Sequence, residues 1–254
     1  MVCRPRTARI ARGLTPPPLQ NRVTPFGDLV ATPGRGTLMG NRGRLHDDAR
    51  RIVRRVVPSY RAWVTCRLEF RGRWRAVMTP GRYTELFFLD EATALAAGHR
   101  PCGECRHADY RRFKALWLTA NRTRSAGHDV PIATIDRVLH RDRLGADGRP
   151  RTFSAALASL PDGVLVCVPG TGEPLLLWCR ALWPWSPAGY GAPRARVDED
   201  DRVTVLTPRS TVATIAAGYA PSVHPTASQA GRAPARSRAA SAAKRPSWHS
   251  PSSS

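Results

Sequence analysis

No stretch of this 254-residue chain comes near the ~18 consecutive apolar residues that a membrane-spanning helix needs, which excludes an integral membrane protein of that kind. Residues 1–20 hold Arg4, Arg6, Arg9 and Arg12 but no apolar core segment, so a secretory signal is excluded there. Lysine is almost missing. Lys114 and Lys244 are the only two among 40 Lys+Arg, so the basic charge is carried by guanidinium groups. Acid is scarce as well, with 19 Asp+Glu and a formal net charge of +21. No nucleophile–base pair and no other complete catalytic constellation stands out, so the residues do not spell out a reaction.

What the chain does have is arginine, and its placement is uneven. The first 24 residues carry five arginines and no acid. Residues 222–254 carry Arg232, Arg236, Arg238, Lys244 and Arg245, again with no acid. A basic excess draws a protein to nucleic acid or other polyanions. An Arg-for-Lys bias with plentiful Ala and Gly is also what GC-rich coding produces, so the charge alone does not name a partner.

Composition divides the chain into four parts. Residues 1–20 read as a disordered basic and proline-rich arm ending in Pro16-Pro17-Pro18. Residues 21–125 and 126–221 carry the alternating and helical patterns of a folded region. Residues 222–254 are Ser, Ala, Pro and Arg with Trp248 as the one large apolar group, too little to offset ordering entropy, and read as a disordered tail.

Within 21–125, Asp47 and Asp48 can cap a short basic helix through Ile52, Val53, Val56 and Val57, stopped by Pro58. Val64 to Phe70 alternates, with Val64, Cys66, Leu68 and Phe70 on one face. Arg71-Gly72 can turn it into a second strand from Trp74 to Met78. Leu86 to Leu89 is a short strand. Asp90 caps a helix from Glu91 to Ala97 that ends at Gly98. A helix after Cys105 carries Tyr110, Phe113, Leu116 and Trp117 on one stripe, and another follows Pro131.

Residues 126–221 return to strands. Val164–Val168 and Leu175–Cys179 flank Pro169-Gly170-Thr171-Gly172, a hairpin signal. Val203–Leu206 is a third strand, and a helix from Ser210 closes at Gly218. The expected fold is α+β, with small antiparallel sheets and short helices. A faint echo links Val77-Met78-Thr79-Pro80 and Ala96–Pro101 to Val205-Leu206-Thr207-Pro208 and Ala216–Pro221, but generic helix-exit chemistry accounts for it.

The six cysteines include one close pair, Cys102-Gly103-Glu104-Cys105. Without an export signal the expected compartment is the reducing cytoplasm, where a close pair means metal or redox work before a structural disulfide. Two thiolates three residues apart form a knuckle that grips one metal from one side, and zinc takes four such donors in a tetrahedron. A redox pair opens a helix at the end of a strand; this one follows a helix and a glycine turn, which ranks zinc above redox. Cys66 is the first choice for a third ligand, turned out of its strand face by a bulge, and otherwise a core thiol. His46, in a loop before the capped helix, is the second choice, and His107 the reserve. Arg100, Arg106, Arg111 and Arg112 surround the knuckle and are the candidate nucleic-acid contacts.

The run Glu85-Leu86-Phe87-Phe88-Leu89-Asp90-Glu91-Ala92-Thr93-Ala94-Leu95-Ala96-Ala97-Gly98-His99-Arg100-Pro101-Cys102-Gly103-Glu104-Cys105-Arg106 resembles the second half of the metal-binding domain of Ada-type DNA repair proteins. There a short aromatic strand leads into a helix and then Ala-Ala-Gly-aromatic-Arg-Pro-Cys-x-x-Cys, with His99 in the aromatic slot here. The resemblance implies a zinc-binding module that contacts nucleic acid. It stops short of chemistry. The family places a first cysteine pair about thirty residues earlier, one member of which accepts a methyl group from DNA, and this chain has Arg71, Gly72, Arg73, Trp74 and Arg75 in that window. Met39–Gly43 and Trp185–Tyr190 also resemble a family of bacterial proteins with no assigned activity. Two other readings stand beside the zinc module: an enzyme on which the knuckle is a structural staple, and a metal-free interaction scaffold.

Overall fold

The computed structural model describes residues 17–74, 76–121, 130–195 and 201–229. The chain begins with β1 (Gln20–Val23), β2 (Leu29–Ala31), β3 (Leu38–Asn41), β4 (Val64–Arg67) and β5 (Leu86–Phe88). Helix α1 (Glu91–Ala96), β6 (Arg100–Pro101), α2 (His107–Ala120) and α3 (Ile132–Arg143) follow. The second half adds β7 (Phe153–Ala156), β8 (Leu165–Cys167), β9 (Pro174–Trp178), β10 (Ala181–Ser186), β11 (Gly189–Tyr190), β12 (Arg194–Ala195) and β13 (Arg202–Val205). Helices α4 (Arg209–Ala216) and α5 (Thr226–Gln229) complete it.

The fold is α+β, as the patterns imply. One sheet runs β2-β1-β5-β3-β4-β6 and the other β11-β10-β9-β8-β13-β7, with β12 beside β10. The second is antiparallel throughout, and its β8–β9 hairpin turns where Pro169–Gly172 predicts. The first sheet corrects the expectation of antiparallel pairing. β1 lies parallel to β5, and β4 parallel to β6. Both parallel partners are reached by long connections, which is what parallel pairing needs. No helix among the described residues is long and apolar enough to cross a membrane.

Helices α1 to α4 form where capping and periodicity place them. Asp90 accepts from the Thr93 backbone N–H at 2.8 Å and fixes the start of α1. Gly98 ends the helix at φ +80°, and a side chain there would press on Arg143 Cδ at 2.5 Å, so both conformation and space call for glycine. Phe113 and Trp117 of α2 bury against α3, α4 and the second sheet, in one cluster with Leu95, Ile135, Leu177 and Tyr219. The sequence boundary at 125/126 therefore runs through a shared core.

Two elements did not form. Residues 47–57 are turns, not a helix. Asp47 accepts from the Arg51 backbone N–H at 2.9 Å, and Arg50 sits at φ +62°. The loop then folds back so that Val53 N–H donates to Leu45 and His46 bridges Ile52. A cap without an unbroken helical backbone behind it makes a turn. Trp74 and residues 76–78 likewise form no strand. Arg71-Gly72 does turn the chain, but among the described residues no ladder partner follows, and Trp74 is 88% exposed. Arg75 lies outside the described residues, as do residues 1–16 of the expected arm.

The tail expected from 222 starts as packed structure. Asp90 and Glu91, both buried at the head of α1, hold it down. Glu91 accepts from Tyr219 OH at 2.5 Å, Ser222 N–H at 3.0 Å and Ser222 Oγ at 3.2 Å. Asp90 accepts from His224 N–H at 2.9 Å and Tyr190 OH at 2.8 Å. Ala227 is buried beyond them. Residues 230–254 lie outside the described residues. Buried carboxylates with donors in place, rather than apolar bulk, order this segment.

His99 is also buried, against Trp63 and Phe88 at ring distances of 5.0 and 4.7 Å, with Nδ1 on the Ala97 carbonyl at 3.1 Å. Burial, followed by the charges of Arg42 and Arg143, holds its pKa well below the ordinary imidazole value. His140, partly exposed, is lowered to about 4 for similar reasons. Below pH ~6.5 the unfolded chain takes up a proton that folded His99 refuses, so the unfolded state gains. The His99 contribution to the unfolding free energy is therefore expected to be level above pH ~6.5 and to fall below it by up to about 1.4 kcal/mol per pH unit. His140, screened by solvent, adds less. Urea melts from pH 7.5 to 5 check this, and a slope unchanged in His99→Gln assigns it elsewhere.

Candidate metal centre

Strand β4 pairs with β3 in regular register, Met39 opposite Cys66 and Gly40 opposite Thr65. On its other side β6 runs parallel, with Thr65 opposite Pro101. The Cys102 N–H donates to the Thr65 carbonyl at 2.9 Å, so the knuckle leaves the sheet beside Cys66. Thr65 is the buried residue of β4, whereas Val64 and Cys66 are half-buried and Leu68 is exposed. The face shared by Val64, Cys66 and Leu68 is therefore the outer one. Cys66 reaches the knuckle with no bulge, by ordinary strand alternation.

The Sγ atoms of Cys66, Cys102 and Cys105 lie within 4.8 Å of one another. Among the described residues no fourth His, Cys, Asp or Glu joins them. The turn of the knuckle is set locally. Glu104 N–H donates to Cys102 Sγ at 3.4 Å, and Arg106 N–H to the Cys102 carbonyl at 3.2 Å, leading into α2. The Cys102 thiol is lowered to about 5, chiefly by a hydrogen bond from Cys66, with the backbone N–H groups of Cys105 and Glu104 adding to it against burial. Cys66 is pushed up, first because it is the donor to Cys102 and then by burial. Burial also raises Cys105. The arrangement favours the thiolate form at Cys102, with Cys66 as its hydrogen-bond donor. A divalent cation can take the place of the thiol protons, which is how soft metals bind thiolate clusters.

The other proposed ligands fall elsewhere. His46 is buried with Nδ1 on Thr84 Oγ1 at 2.6 Å and Nε2 3.3 Å from the Thr79 carbonyl. It ties the 79–84 loop to the sheet rather than reaching the thiols. His107 is exposed at the start of α2, with Nδ1 3.0 Å from the Gly103 carbonyl. Cys167 is buried in the second sheet, and Cys179 is exposed in the turn between β9 and β10.

The proposed phosphate contacts divide as well. Arg100 is buried and grips Asp136 bidentately, both bonds at 2.7 Å. Arg106 is buried and donates to Glu91 at 2.7 Å, Thr65 at 2.9 Å and Asp109 at 3.0 Å. Both are internal struts, not surface groups, and this corrects their reading as contacts. Arg112 is exposed but donates to the Gly218 carbonyl at 2.8 Å, and Arg111 is exposed.

An unanticipated surface flanks the thiols instead. Arg67, Arg71 and Arg73 are exposed next to Cys66, with Arg71 and Arg73 over the Phe70 ring at 4.9 and 5.5 Å. Arg73 also pairs with Glu104 of the knuckle at 2.8 Å. Trp74 projects beyond them. The turn at Arg71-Gly72 points to a strand from Trp74 to Met78, and among the described residues no ladder partner meets it. No protein-family model, curated protein or solved structure matches this chain.

Proposed function

We propose that the chain holds a zinc ion through Cys66, Cys102 and Cys105 and presents the adjoining arginine and aromatic loop to nucleic acid, as the likeness of residues 85–106 to the Ada-type domain implies. The observation that carries the reading is the convergence of a strand thiol and a knuckle pair within 4.8 Å. Thiolates of this number suit zinc, and a tetrahedral ion takes its fourth ligand from outside the three. In this reading Arg67, Arg71 and Arg73 meet phosphates, and Trp74 stacks on an unpaired base.

Metal analysis of the full chain is expected to give about one zinc per molecule, with Cys66→Ser, Cys102→Ser and Cys105→Ser each losing it and His46→Ala retaining it. A zinc-loaded Cys66→Ser protein would remove Cys66 from the site; no zinc in the parent would remove the reading. Substituting Arg67, Arg71 or Arg73 by alanine is expected to flatten the salt dependence of single-stranded DNA binding by about one unit of log–log slope each.

A further inference from the structure

Four arginines among the described residues are buried: Arg42, Arg100, Arg106 and Arg143. Arg100 and Arg106 each have a carboxylate within ion-pair distance. Arg42 and Arg143 have none among the described residues. Arg42 donates from Nη2 to the Gly27 carbonyl at 3.0 Å, and its Nε has no partner. Arg143 donates to the Gly98 and Arg61 carbonyls at 2.8 and 2.7 Å and lies 2.8 Å from His140 Nδ1, and its Nε too has no partner. Both guanidinium groups lie over the Trp63 ring, at 4.8 and 3.9 Å from its centroid. Neutral carbonyls and one indole are poor compensation for two buried cations, because burying an ion without a counter-charge is costly. Burial and the charge of Arg55 accordingly lower Arg42 to about 9, with Asp28 opposing.

Arg42 and Arg143 both line one small recess of about 20 Å³, with Trp63, Arg55 and Arg151 also on its wall. Arg55 pairs with Asp28; Arg151 is exposed. Val56, Leu144, Gly148 and Arg151 continue its wall into a wider groove that reaches His140 and Arg141, and from there Arg61 and Arg137. No acidic residue lines any part of it. We propose that the recess is an anion site in which Arg42 and Arg143 bind a phosphate group, with the arginine-lined groove carrying the rest of the phosphorylated molecule. Planar guanidinium forks with free N–H groups match phosphate oxygens, and the cationic, partly dry walls favour a charged, compact group over a neutral one. The thiol cluster plays no part in this site, so either reading can fail alone.

The test is thermal melting of the full chain in sodium phosphate against sodium chloride at equal ionic strength. Phosphate is expected to raise the melting temperature saturably, by about 5 °C at high occupancy. Arg42→Met is expected to abolish that increment while melting in chloride no lower than the parent, because an unpaired buried charge is gone, and to keep its zinc content. Equal melting in the two salts, or an increment kept by Arg42→Met, overturns the site. Should Arg42→Met fail to fold, the exposed Arg151→Gln decides: a several-fold weaker phosphate affinity supports the site and an unchanged one overturns it. Titration with a nucleoside monophosphate and with a short single-stranded oligonucleotide then identifies the source of the phosphate. Tighter binding of the monoester assigns a small phosphorylated metabolite, and tighter, phosphate-competitive binding of the strand assigns nucleic acid.

Discussion

Arg106→Leu is expected to lower the unfolding free energy by about 3–5 kcal/mol, the usual effect of stripping one partner from a buried ion pair. The guanidinium joins three elements at once: Glu91 at the head of α1, Thr65 in β4 and Asp109 in α2. Its removal leaves Glu91 buried with Tyr219 and Ser222 as its remaining donors, and those bonds are formed to a carboxylate that no longer has a counter-charge. Adding Glu91→Gln to Arg106→Leu is expected to restore part of the loss, since no uncompensated charge then remains. Urea denaturation of the two single variants and the double variant measures this as a coupling energy. A change below about 1 kcal/mol in Arg106→Leu would show that water replaces the pair.

Ending the chain at Pro221 rather than Gln229 is expected to lower the melting temperature by roughly 10 °C. The truncation takes two N–H donors and a hydroxyl from Asp90 and Glu91, the Thr226 Oγ1 that accepts from Tyr190 N–H, and the buried Ala227. Each unsatisfied buried acceptor costs about 1–3 kcal/mol, and a chain of this size loses about 2–4 °C per kcal/mol. Ser222→Ala, which removes only the 3.2 Å hydroxyl contact, is expected to change the melting temperature little. Equal melting of the two chain lengths would mean that residues 222–229 lie on the surface without holding it.

Local signals and meeting partners account for what could be read in advance. Asp90, Gly98 and the Phe113/Trp117 stripe act within a turn or two of chain, so α1 and α2 could be located from the residues alone. The same holds for the β8–β9 hairpin and for Cys102 and Cys105. The third thiol was harder. The alternation of Val64, Cys66, Leu68 and Phe70 looks like a core face, and only the pairing of β4 with β6 shows that Thr65 faces inward instead. Arg100 and Arg106 look like phosphate contacts until Asp136 and Glu91 are seen to meet them. Such an encounter between distant residues leaves no mark in either stretch of sequence. His46 failed for a related reason: the helix expected after it is a turn, and the fold carries its ring to Thr84.

The latch on α1 also bears on how the protein is made. Chains emerge from the ribosome N-terminus first, and domains generally fold as units during synthesis. Here the strands of the first sheet and the knuckle are complete in the chain well before Tyr219, Ser222 and His224 appear. Until those residues emerge, Asp90 and Glu91 lack donors that the finished fold supplies from the far end of the described chain. The nascent thiol-bearing half is thus held short of its final packing, with α1 and the Leu95 side of the shared core still uncovered, until Tyr219, Ser222 and His224 close it. A pause in translation after the knuckle would leave that half waiting and open to association with other chains.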